Sequence, residues 1–258
     1  MKKKVLITGI TGFVGSHLAE YILSLKDKNI EIYGIRRWRS PMDNIASIID
    51  KINFSYCELL DSKSVLDTIT KIKPDIIFHL AAQSFVSTSF NAPVNTMEIN
   101  ACGTINLLEA IRYAGIDPVV HICSSSEVYG QVNADEVPIN ENQPFRPASP
   151  YAVSKVAEDM IAFQYFLSYG IKTIRTRMFT HSGPRRGEVF ASSSFARQIA
   201  RIEKGLQEPI IHVGNLKSIR TFADVRDTVR AYWLLVNKCP AGEVYNIGGD
   251  RSLTVGEM

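Results

Sequence analysis

Four residues between Ser124 and Lys155 can together run proton and hydride chemistry on a sugar alcohol: Ser125, Glu127, Tyr151 and Lys155. Tyr151 and Lys155 are four positions apart, so on a helix they share one face. A lysine charge beside a tyrosine favours the phenolate, and a phenol that ionises near neutral pH is a usable general base. The same spacing also occurs on solvated helix faces, so its meaning depends on the elements around it.

The first residues of the chain supply a candidate dinucleotide site. Lys4–Thr8 predicts a short buried strand, and Ser16–Leu25 predicts a helix. Between them Gly9, Gly12 and Gly15 suit a tight turn, close approach of backbone to a pyrophosphate, and close packing of helix on strand. A pyrophosphate there would meet the free N–H groups at the helix N-terminus. This position between strand and helix favours a dinucleotide site over a plain turn.

The end of the second predicted strand indicates which dinucleotide is bound. Ile30–Ile35 leads into Arg36 and Arg37, where an NAD-binding chain would place an acidic residue for the ribose 2′-hydroxyl. An arginine at this point suits the 2′-phosphate of NADP. Arg39 shows that the loop is generally basic, so a solvated basic turn is the alternative. We predict NADP rather than NAD.

Further strands are predicted at residues 51–58, 75–80, 119–123 and 171–178, with helices at 62–72, at 93–114 and from 151 onward. Alternating strands and helices predict an α/β, Rossmann-type doubly wound parallel sheet, with residues 1–178 as the NADP-binding domain. Ser124–Glu127 follows the fifth strand, and ligands in such sheets bind beyond the carboxyl ends of the strands. His79, inside an apolar strand, is interpreted as a core histidine.

The pattern changes after residue 178. A loop at 180–187 carries Arg185 and Arg186 among glycines, which suits a phosphorylated ligand. A helix at 193–204, a strand at 210–213, Arg220 in the next turn and a helix at 224–236 are predicted to follow. We interpret residues 179–258 as a smaller substrate-binding lobe that is interleaved with the sheet. Ser252–Met258 reads as the start of a capped helix, so the lobe is predicted to be incomplete.

Composition excludes several classes of function. The chain has 258 residues, of which 45% are hydrophobic and 21% charged, as in ordinary globular proteins. A formal charge of +3 gives no argument for a nucleic-acid partner. The four cysteines are far apart without metal-ligand spacing, and reduced, buried thiols are expected. No apolar run reaches membrane-spanning length. With no room for a cleaved signal peptide before the first strand, a cytoplasmic protein is expected.

These motifs converge on one family. The glycine loop, the stretch from His79 to Ala82, the stretch from Ser124 to Gly130 and the pair Tyr151 and Lys155 together resemble the extended short-chain dehydrogenase/reductases that act on nucleotide sugars, the NAD-dependent epimerase/dehydratase family. The resemblance covers nearly the whole chain. It implies a nucleotide-sugar substrate, no nucleic acid or membrane partner, no metal, and a homodimer or homotetramer.

The resemblance also implies a role for each matching residue. The catalytic residues would be Ser125, Glu127, Tyr151 and Lys155. The cofactor would be held by Gly9, Thr11, Gly12, Phe13, Val14, Gly15, Arg36, Arg37, Glu58, Leu59, Leu80, Ala81, Ala82, Ser84, Tyr151, Lys155, His181 and Arg186. The substrate would meet Ser84, Ser125, Ser126, Thr180 and Arg220.

Within the family, three stretches are most similar to enzymes that dehydrate GDP-mannose: Gly34–Arg37, Pro184–Glu188 and Ser218–Arg220. The implied reaction is the conversion of GDP-mannose to GDP-4-keto-6-deoxymannose by internal hydride transfer. The alternatives are a GDP-4-keto-6-deoxymannose reductase, another nucleotide-sugar dehydratase, epimerase or decarboxylase, and an inactive dinucleotide-binding sensor. The chain departs from the dehydratase pattern at Ser125 and Thr180, where those enzymes carry Thr and Asn.

Overall fold

The computed structural model describes residues 2–258. Eleven strands are present in this part of the chain: β1 (Lys3–Thr8), β2 (Ile30–Arg36), β3 (Asn53–Tyr56), β4 (Ile76–His79), β5 (Val119–Ser125), β6 (Lys172–Met178), β7 (His181–Ser182), β8 (Ile219–Thr221), β9 (Ala223–Asp224), β10 (Val244–Ile247) and β11 (Ser252–Thr254). The α-helices are α1 (Phe13–Ser24), α2 (Ser62–Ile72), α3 (Val86–Asn91), α4 (Pro93–Met97), α5 (Gly103–Ala114), α6 (Pro150–Tyr169), α7 (Ala191–Glu203) and α8 (Val225–Lys238). A π-helical turn, Glu98–Cys102, joins α4 to α5.

Seven strands form one parallel sheet in the order β10-β6-β5-β4-β1-β2-β3. The strand order reverses at β1, with β2 on one side and β4 on the other, and ligands of such sheets bind at this switch point. The central strands form because their residues are apolar on both faces: Val5, Leu6 and Ile7 of β1 are fully buried. The predicted doubly wound Rossmann-type fold is confirmed.

Helices cover both faces of the sheet and create two cores. On one face α1 packs with α8 over a core that includes Leu18, Ile22 and Val229. On the other, α2, α5 and α6 pack over a core that includes Ile69, Leu108 and Ala162. Each helix therefore has its orientation set by apolar burial against the sheet.

Helix α6 holds Tyr151 and Lys155, and its start is well defined. The Ser149 hydroxyl accepts a hydrogen bond from the Ala152 N–H at 3.0 Å, and Pro150 occupies the first helical turn. Gly170 ends the helix in a left-handed conformation. A capped N-terminus keeps the first turn from fraying, and Tyr151 lies in that turn.

Aspartate side chains cap two of the helices. Asp61 caps α2 by accepting the Ser64 N–H at 3.0 Å, and α2 covers the predicted residues 62–72. Asp224 caps α8, accepting the Arg226 N–H at 2.8 Å. In both cases the carboxylate satisfies an N–H group that has no helical partner.

Several boundaries predicted after residue 178 are wrong. Residues 210–213 form no strand but an exposed coil. Arg220 lies in β8 rather than in a turn, and β8 pairs antiparallel with β11. Residues 252–258 therefore begin with a strand and end in a turn, not in a helix. Short apolar runs in exposed segments become strands only where another strand pairs with them. That partner can lie far along the chain, so the local pattern does not predict which runs are paired.

Two further expectations are corrected. The third strand is only Asn53–Tyr56, since a 3₁₀ helix occupies residues 43–51 before it. All four cysteines are free thiols, but only Cys57 is buried: Cys123 and Cys239 are partly buried, and Cys102 is exposed. Within residues 2–258 no helix combines the length and apolar character needed to cross a lipid bilayer.

Candidate active site

The predicted site residues meet at one crevice. A cavity of about 840 Å³ opens beyond the carboxyl ends of β1, β4 and β5. Its walls include every residue predicted to hold cofactor or perform catalysis: Gly9, Thr11, Gly12, Phe13, Val14, Gly15, Arg36, Arg37, Glu58, Leu59, Leu80, Ala81, Ala82, Ser84, Ser125, Glu127, Tyr151, Lys155, His181 and Arg186. Ser126 and Thr180 also line it, whereas Arg220 does not.

The glycine loop forms a tight cradle at one end of this cavity. The Gly12 N–H donates to the Gly9 carbonyl at 2.9 Å, and Gly9 has a φ of 67°. A methyl group on Gly15 would lie 2.3 Å from the Gly9 carbonyl oxygen, and one on Gly9 would lie 2.9 Å from the Ala81 backbone. The loop, the start of α1 and the end of β4 therefore meet backbone to backbone, as a pyrophosphate cradle requires.

A buried network beneath the cradle fixes the end of β4. The Thr8 hydroxyl accepts the N–H groups of Leu80 and Ala81, each at 3.1 Å, and lies 3.0 Å from Nδ1 of His79. The Thr104 hydroxyl donates to helix backbone, so it accepts from Nε2 of His79 at 3.1 Å. Nδ1 then accepts from Thr8. His79 is fully buried and its pKa is lowered to about 3 by burial, which confirms a core histidine.

Arg36 lies where the 2′-position of an adenosine ribose is expected. Its guanidinium stacks on the Tyr56 ring at 4.4 Å and donates to the Tyr56 hydroxyl at 2.5 Å. Its Nε is buried and has no hydrogen-bond partner among the described residues. Buried donors of this kind are rare unless a ligand or water completes them. Arg37 and Ser40 line the same wall of the cavity.

The Lys155 ammonium is held by two buried acceptors. Its Nζ donates to the Cys123 carbonyl at 2.8 Å and to a carboxylate oxygen of Glu158 at 2.7 Å. Lys155 and Glu158 are both nearly inaccessible to solvent. The third N–H of the ammonium is unused by these bonds, and Lys155 lines the cavity beside Tyr151.

Burial has a larger effect on the pKa of the Tyr151 phenol than the Lys155 charge has. Burial raises the pKa of Tyr151, while the Lys155 charge and the Ser125 hydroxyl act in the opposite direction. The Lys155 charge therefore favours the phenolate in the predicted direction, but burial outweighs it in this structure. The physical reason is that a buried phenolate loses the solvation that stabilises its charge.

Glu127 faces the cavity with an unengaged carboxylate. Its backbone N–H donates to the Ser125 hydroxyl at 3.2 Å, and its carbonyl accepts from Gly130. Within residues 2–258 these are the bonds that Glu127 makes, so its carboxylate has no partner there. A carboxylate without a partner in the same cavity as a Tyr–Lys pair can accept a proton from carbon.

The two arginines of the 180–187 loop differ in role. Arg185 is committed within the chain, since it donates to both carboxylate oxygens of Glu20 at 2.6 and 2.7 Å. Arg186 lines the cavity and lies over the rings of Phe13 and Phe190, at 5.5 and 4.2 Å. Of these two arginines, Arg186 is therefore the one placed to meet a phosphorylated ligand in the cavity, although it also donates to the His181 carbonyl.

Sequence reasoning missed two residues at this site. Phe190 forms part of the cavity wall and stacks on Arg186. Glu158 binds Lys155 from behind, and its spacing of seven from Tyr151 and three from Lys155 was a signal that could have revealed it. Arg220, predicted to meet the substrate, is exposed, donates to the Ile219 carbonyl and does not line the cavity.

A family model described as GDP-mannose 4,6 dehydratase matches residues 6–258. The chain belongs to this family.

Relatives of the family differ in reaction. A GDP-mannose 4,6-dehydratase of Vibrio cholerae is 39% identical over 249 residues, which are 92% of this chain and 65% of that relative. The chain thus spans less than two thirds of its length. A GDP-6-deoxy-D-mannose reductase of Pseudomonas aeruginosa is 33% identical over the whole chain and 78% of that enzyme.

Solved structures agree with the fold and bind either dinucleotide. RMD from Pseudomonas aeruginosa, solved with NADPH, matches with a TM-score of 0.85 and 33% identity, covering 99% of this chain and 80% of that one. DesIV from Streptomyces venezuelae, a dTDP-glucose 4,6-dehydratase solved with NAD, matches with a TM-score of 0.88 and 28% identity, covering 98% and 78%. A pyridine nucleotide is accordingly the cofactor class of this family.

Proposed function

We propose that this protein is a nucleotide-sugar 4,6-dehydratase that converts GDP-mannose to GDP-4-keto-6-deoxymannose with bound NADP. The observation that carries the proposal is the unengaged Glu127 carboxylate in the cavity that Tyr151 and Lys155 line. A ketone reduction needs no base at C5 of the sugar, whereas a dehydration does. Membership of the family supports the same reaction class.

The cradle fits a dinucleotide. The glycine loop leaves no room for a side chain at Gly15, and its N–H groups lie at the start of α1. Gly9 to Gly15 would hold the pyrophosphate, Arg36 the ribose phosphate, and Tyr151 with Lys155 the nicotinamide end. A nicotinamide bound there would supply the hydride chemistry, as a temporary acceptor of the C4 hydride that is later delivered to C6.

The side chains of the site would handle the protons. Tyr151 accepts the proton of the C4 hydroxyl, while Ser125 hydrogen-bonds that oxygen. The C4 ketone acidifies C5–H, and Glu127 takes that proton and passes it to the departing C6 hydroxyl, which leaves as water. A solvent proton returns to C5 and Tyr151 releases its proton to solvent, so the net change is the loss of one water. General acid–base steps of this kind contribute ~10²–10⁴-fold each.

Replacement of Glu127 by Gln tests this assignment. Incubation of the unmodified protein with GDP-mannose and NADP is expected to give a product lighter by one water, measured by mass spectrometry. Glu127→Gln should keep C4 oxidation but lower the exchange of C5–H with solvent deuterium by ~10²–10⁴-fold, because the base is gone. Glu31→Gln, which removes a carboxylate of β2 paired with Lys2, is the control. Undiminished dehydration by the Glu127 variant would overturn the assignment.

The choice of NADP rests on Arg36. Its buried, partnerless Nε would be completed by an anionic oxygen at the end of β2. Loss of a charged hydrogen bond costs about 1.5–3 kcal/mol, so Arg36→Ala should weaken NADP binding roughly tenfold to hundredfold and NAD binding little. Titration calorimetry with both dinucleotides measures this. Arg39→Ala, which removes a guanidinium stacked on Trp38, is the control. Equal losses for NAD and NADP would contradict 2′-phosphate recognition.

A 4-keto-sugar reductase is the second candidate. It is favoured by the 33% identity to the Pseudomonas aeruginosa GDP-6-deoxy-D-mannose reductase over the whole chain. A reductase would consume NADPH in proportion to a GDP-4-keto-6-deoxymannose substrate, whereas a dehydratase regenerates its cofactor in each turnover. Absorbance at the nicotinamide band during turnover distinguishes the two reactions.

We further propose that residues 179–258 supply the substrate lobe and that the protein self-associates. Thr180, His181 and Arg186 reach the cavity from this part of the chain, and β10 adds to the sheet beside β6. For self-association the support is an exposed apolar row on α6 at heptad spacing, Val153, Met160 and Leu167, which are 44%, 38% and 65% exposed. Sedimentation at equilibrium should give a dimer or tetramer mass.

A further inference from the structure

A buried acid lies directly behind the Tyr–Lys pair. We propose that Glu158 is a positioning residue for this pair: it holds the Lys155 ammonium in place and offsets part of its charge where Tyr151 works. This rests on the proposed role of Tyr151 in proton transfer, and the mechanism above makes no use of Glu158.

Helix geometry places the three groups in one row. Tyr151, Lys155 and Glu158 are at positions i, i+4 and i+7 of α6, so they share one face of the helix. Glu158 is 1% exposed, and its carboxylate accepts the Lys155 ammonium at 2.7 Å. The Cys123 carbonyl of β5 fixes the same ammonium at 2.8 Å. Two acceptors from two elements therefore determine where the lysine charge lies.

Structural anchoring does not account for Glu158. The next residue, Asp159, already ties α6 to the sheet by pairing with Arg175 and Arg177 of β6, each at 2.9 Å. A buried carboxylate is costly, and apolar side chains of similar volume often replace buried ion pairs without loss of stability. The ammonium that Glu158 holds belongs to the predicted catalytic lysine, which gives the buried acid a functional reason.

The groups around Glu158 act on its pKa in opposite directions. Burial raises the pKa of Glu158 to about 7, with the Asp159 charge acting in the same direction and the Lys155 charge against both. From β4 and β5, His79 and His121 face the Lys155 charge as neutral rings with pKa values lowered to about 3, and Cys123 has a raised pKa.

The effect on the phenol has a definite sign. An ionised Glu158 opposes the pull of Lys155 on Tyr151 and so raises the pKa of the phenol. Removal of the carboxylate charge should therefore make Tyr151 more acidic. Seven helical residues span about 10 Å, and a unit charge at that distance in a medium of effective dielectric constant about 20 changes a pKa by about one unit.

Glu158→Gln in the full chain tests this. The amide oxygen can still accept from Lys155, so the position is kept while the charge is lost. We expect the pKa of Tyr151 to fall by about one unit, read by NMR of ¹³Cζ-labelled tyrosine with Tyr151→Phe as the assignment. The readout needs no substrate, so failure of the proposed function would leave it intact. With GDP-mannose, the acid limb of kcat/KM should move to lower pH by the same amount, and Glu158→Asp should restore most of it.

A second measurement of the Tyr151 resonance uses the unmodified chain, so it does not depend on whether a variant folds. In the unmodified chain the Tyr151 resonance should show an inflection as Glu158 titrates near pH 7. Glu109→Gln removes a carboxylate of α5 that is paired with Arg112, and it should change neither result. An unchanged or raised Tyr151 pKa in Glu158→Gln would overturn the proposal. So would the absence of the inflection in the unmodified chain.

Discussion

A methyl group on Gly15 should disable the dinucleotide cradle. In Gly15→Ala the added carbon would lie 2.3 Å from the Gly9 carbonyl oxygen and 2.8 Å from Cα of Ile10. Ordinary contacts between carbon atoms are about 3.5–4.0 Å. Both neighbours are backbone atoms, so no side chain can rotate away. Either α1 moves off β1, or the loop from Gly9 to Gly12 moves away from α1.

The magnitude follows from these distances. Overpacking against fixed backbone costs about 1–3 kcal/mol. In a chain of 258 residues this corresponds to a fall in Tm of about 2–12 °C. A displaced loop also loses the convergence of N–H groups on the pyrophosphate, and each lost charge-assisted hydrogen bond costs about 1.5–3 kcal/mol. NADP binding should therefore weaken at least tenfold.

Thermal unfolding and titration calorimetry with NADP measure both effects. Gly214→Ala is the matched control, because a methyl group there would meet no atom within 4 Å and the backbone is not left-handed. Its Tm and NADP affinity should equal those of the unmodified chain. A Gly15→Ala protein with unchanged Tm and unchanged NADP affinity would refute the inference that this contact shapes the cradle.

Two predictions concern stability. Asp159→Asn leaves the buried guanidinium groups of Arg175 and Arg177 without their shared carboxylate, and should lower the free energy of unfolding in urea by about 3–5 kcal/mol; a loss below about 1 kcal/mol would contradict it. His121 is buried with its pKa lowered from 6.5 to about 3, so its contribution to stability is complete above pH 6.5 and is lost as pH falls toward 3. In urea unfolding, lowering the pH from 7 to 5 should therefore reduce the free energy of unfolding of His121→Gln by about 2 kcal/mol less than that of the unmodified chain. Identical reductions in the two proteins would exclude a contribution of neutral His121 to stability.

Features that depend on neighbours in the chain were predicted from the sequence. The turn from β1 through Gly9 to Gly15 is set by residues that are close in sequence, and the structure places it at the switch point of the sheet. Alternation of apolar strands with amphipathic helices was enough to predict a doubly wound parallel sheet, because crossovers in such folds are short and of one hand.

Features that depend on distant partners were not predicted correctly. The apolar run at residues 210–213 looks like a strand, yet in the structure it pairs with no strand and is exposed coil. Arg220 lies in a strand because β8 pairs with β11. Its partner in that pairing is Leu253, more than thirty positions later in the sequence. Since a strand is stabilised by its partner, local composition cannot decide which short apolar runs are paired.

By itself the sequence determined which groups could react, since residue type and spacing along a helix or around a glycine turn are local properties. The tertiary structure decided what state those groups are in. Burial of Tyr151 raises its pKa against the pull of Lys155, and a carboxylate one helical turn further on, Glu158, takes up that ammonium. The physical reason is that desolvation and charge pairing depend on everything packed around a group, and that environment comes from strands and helices far apart in the chain.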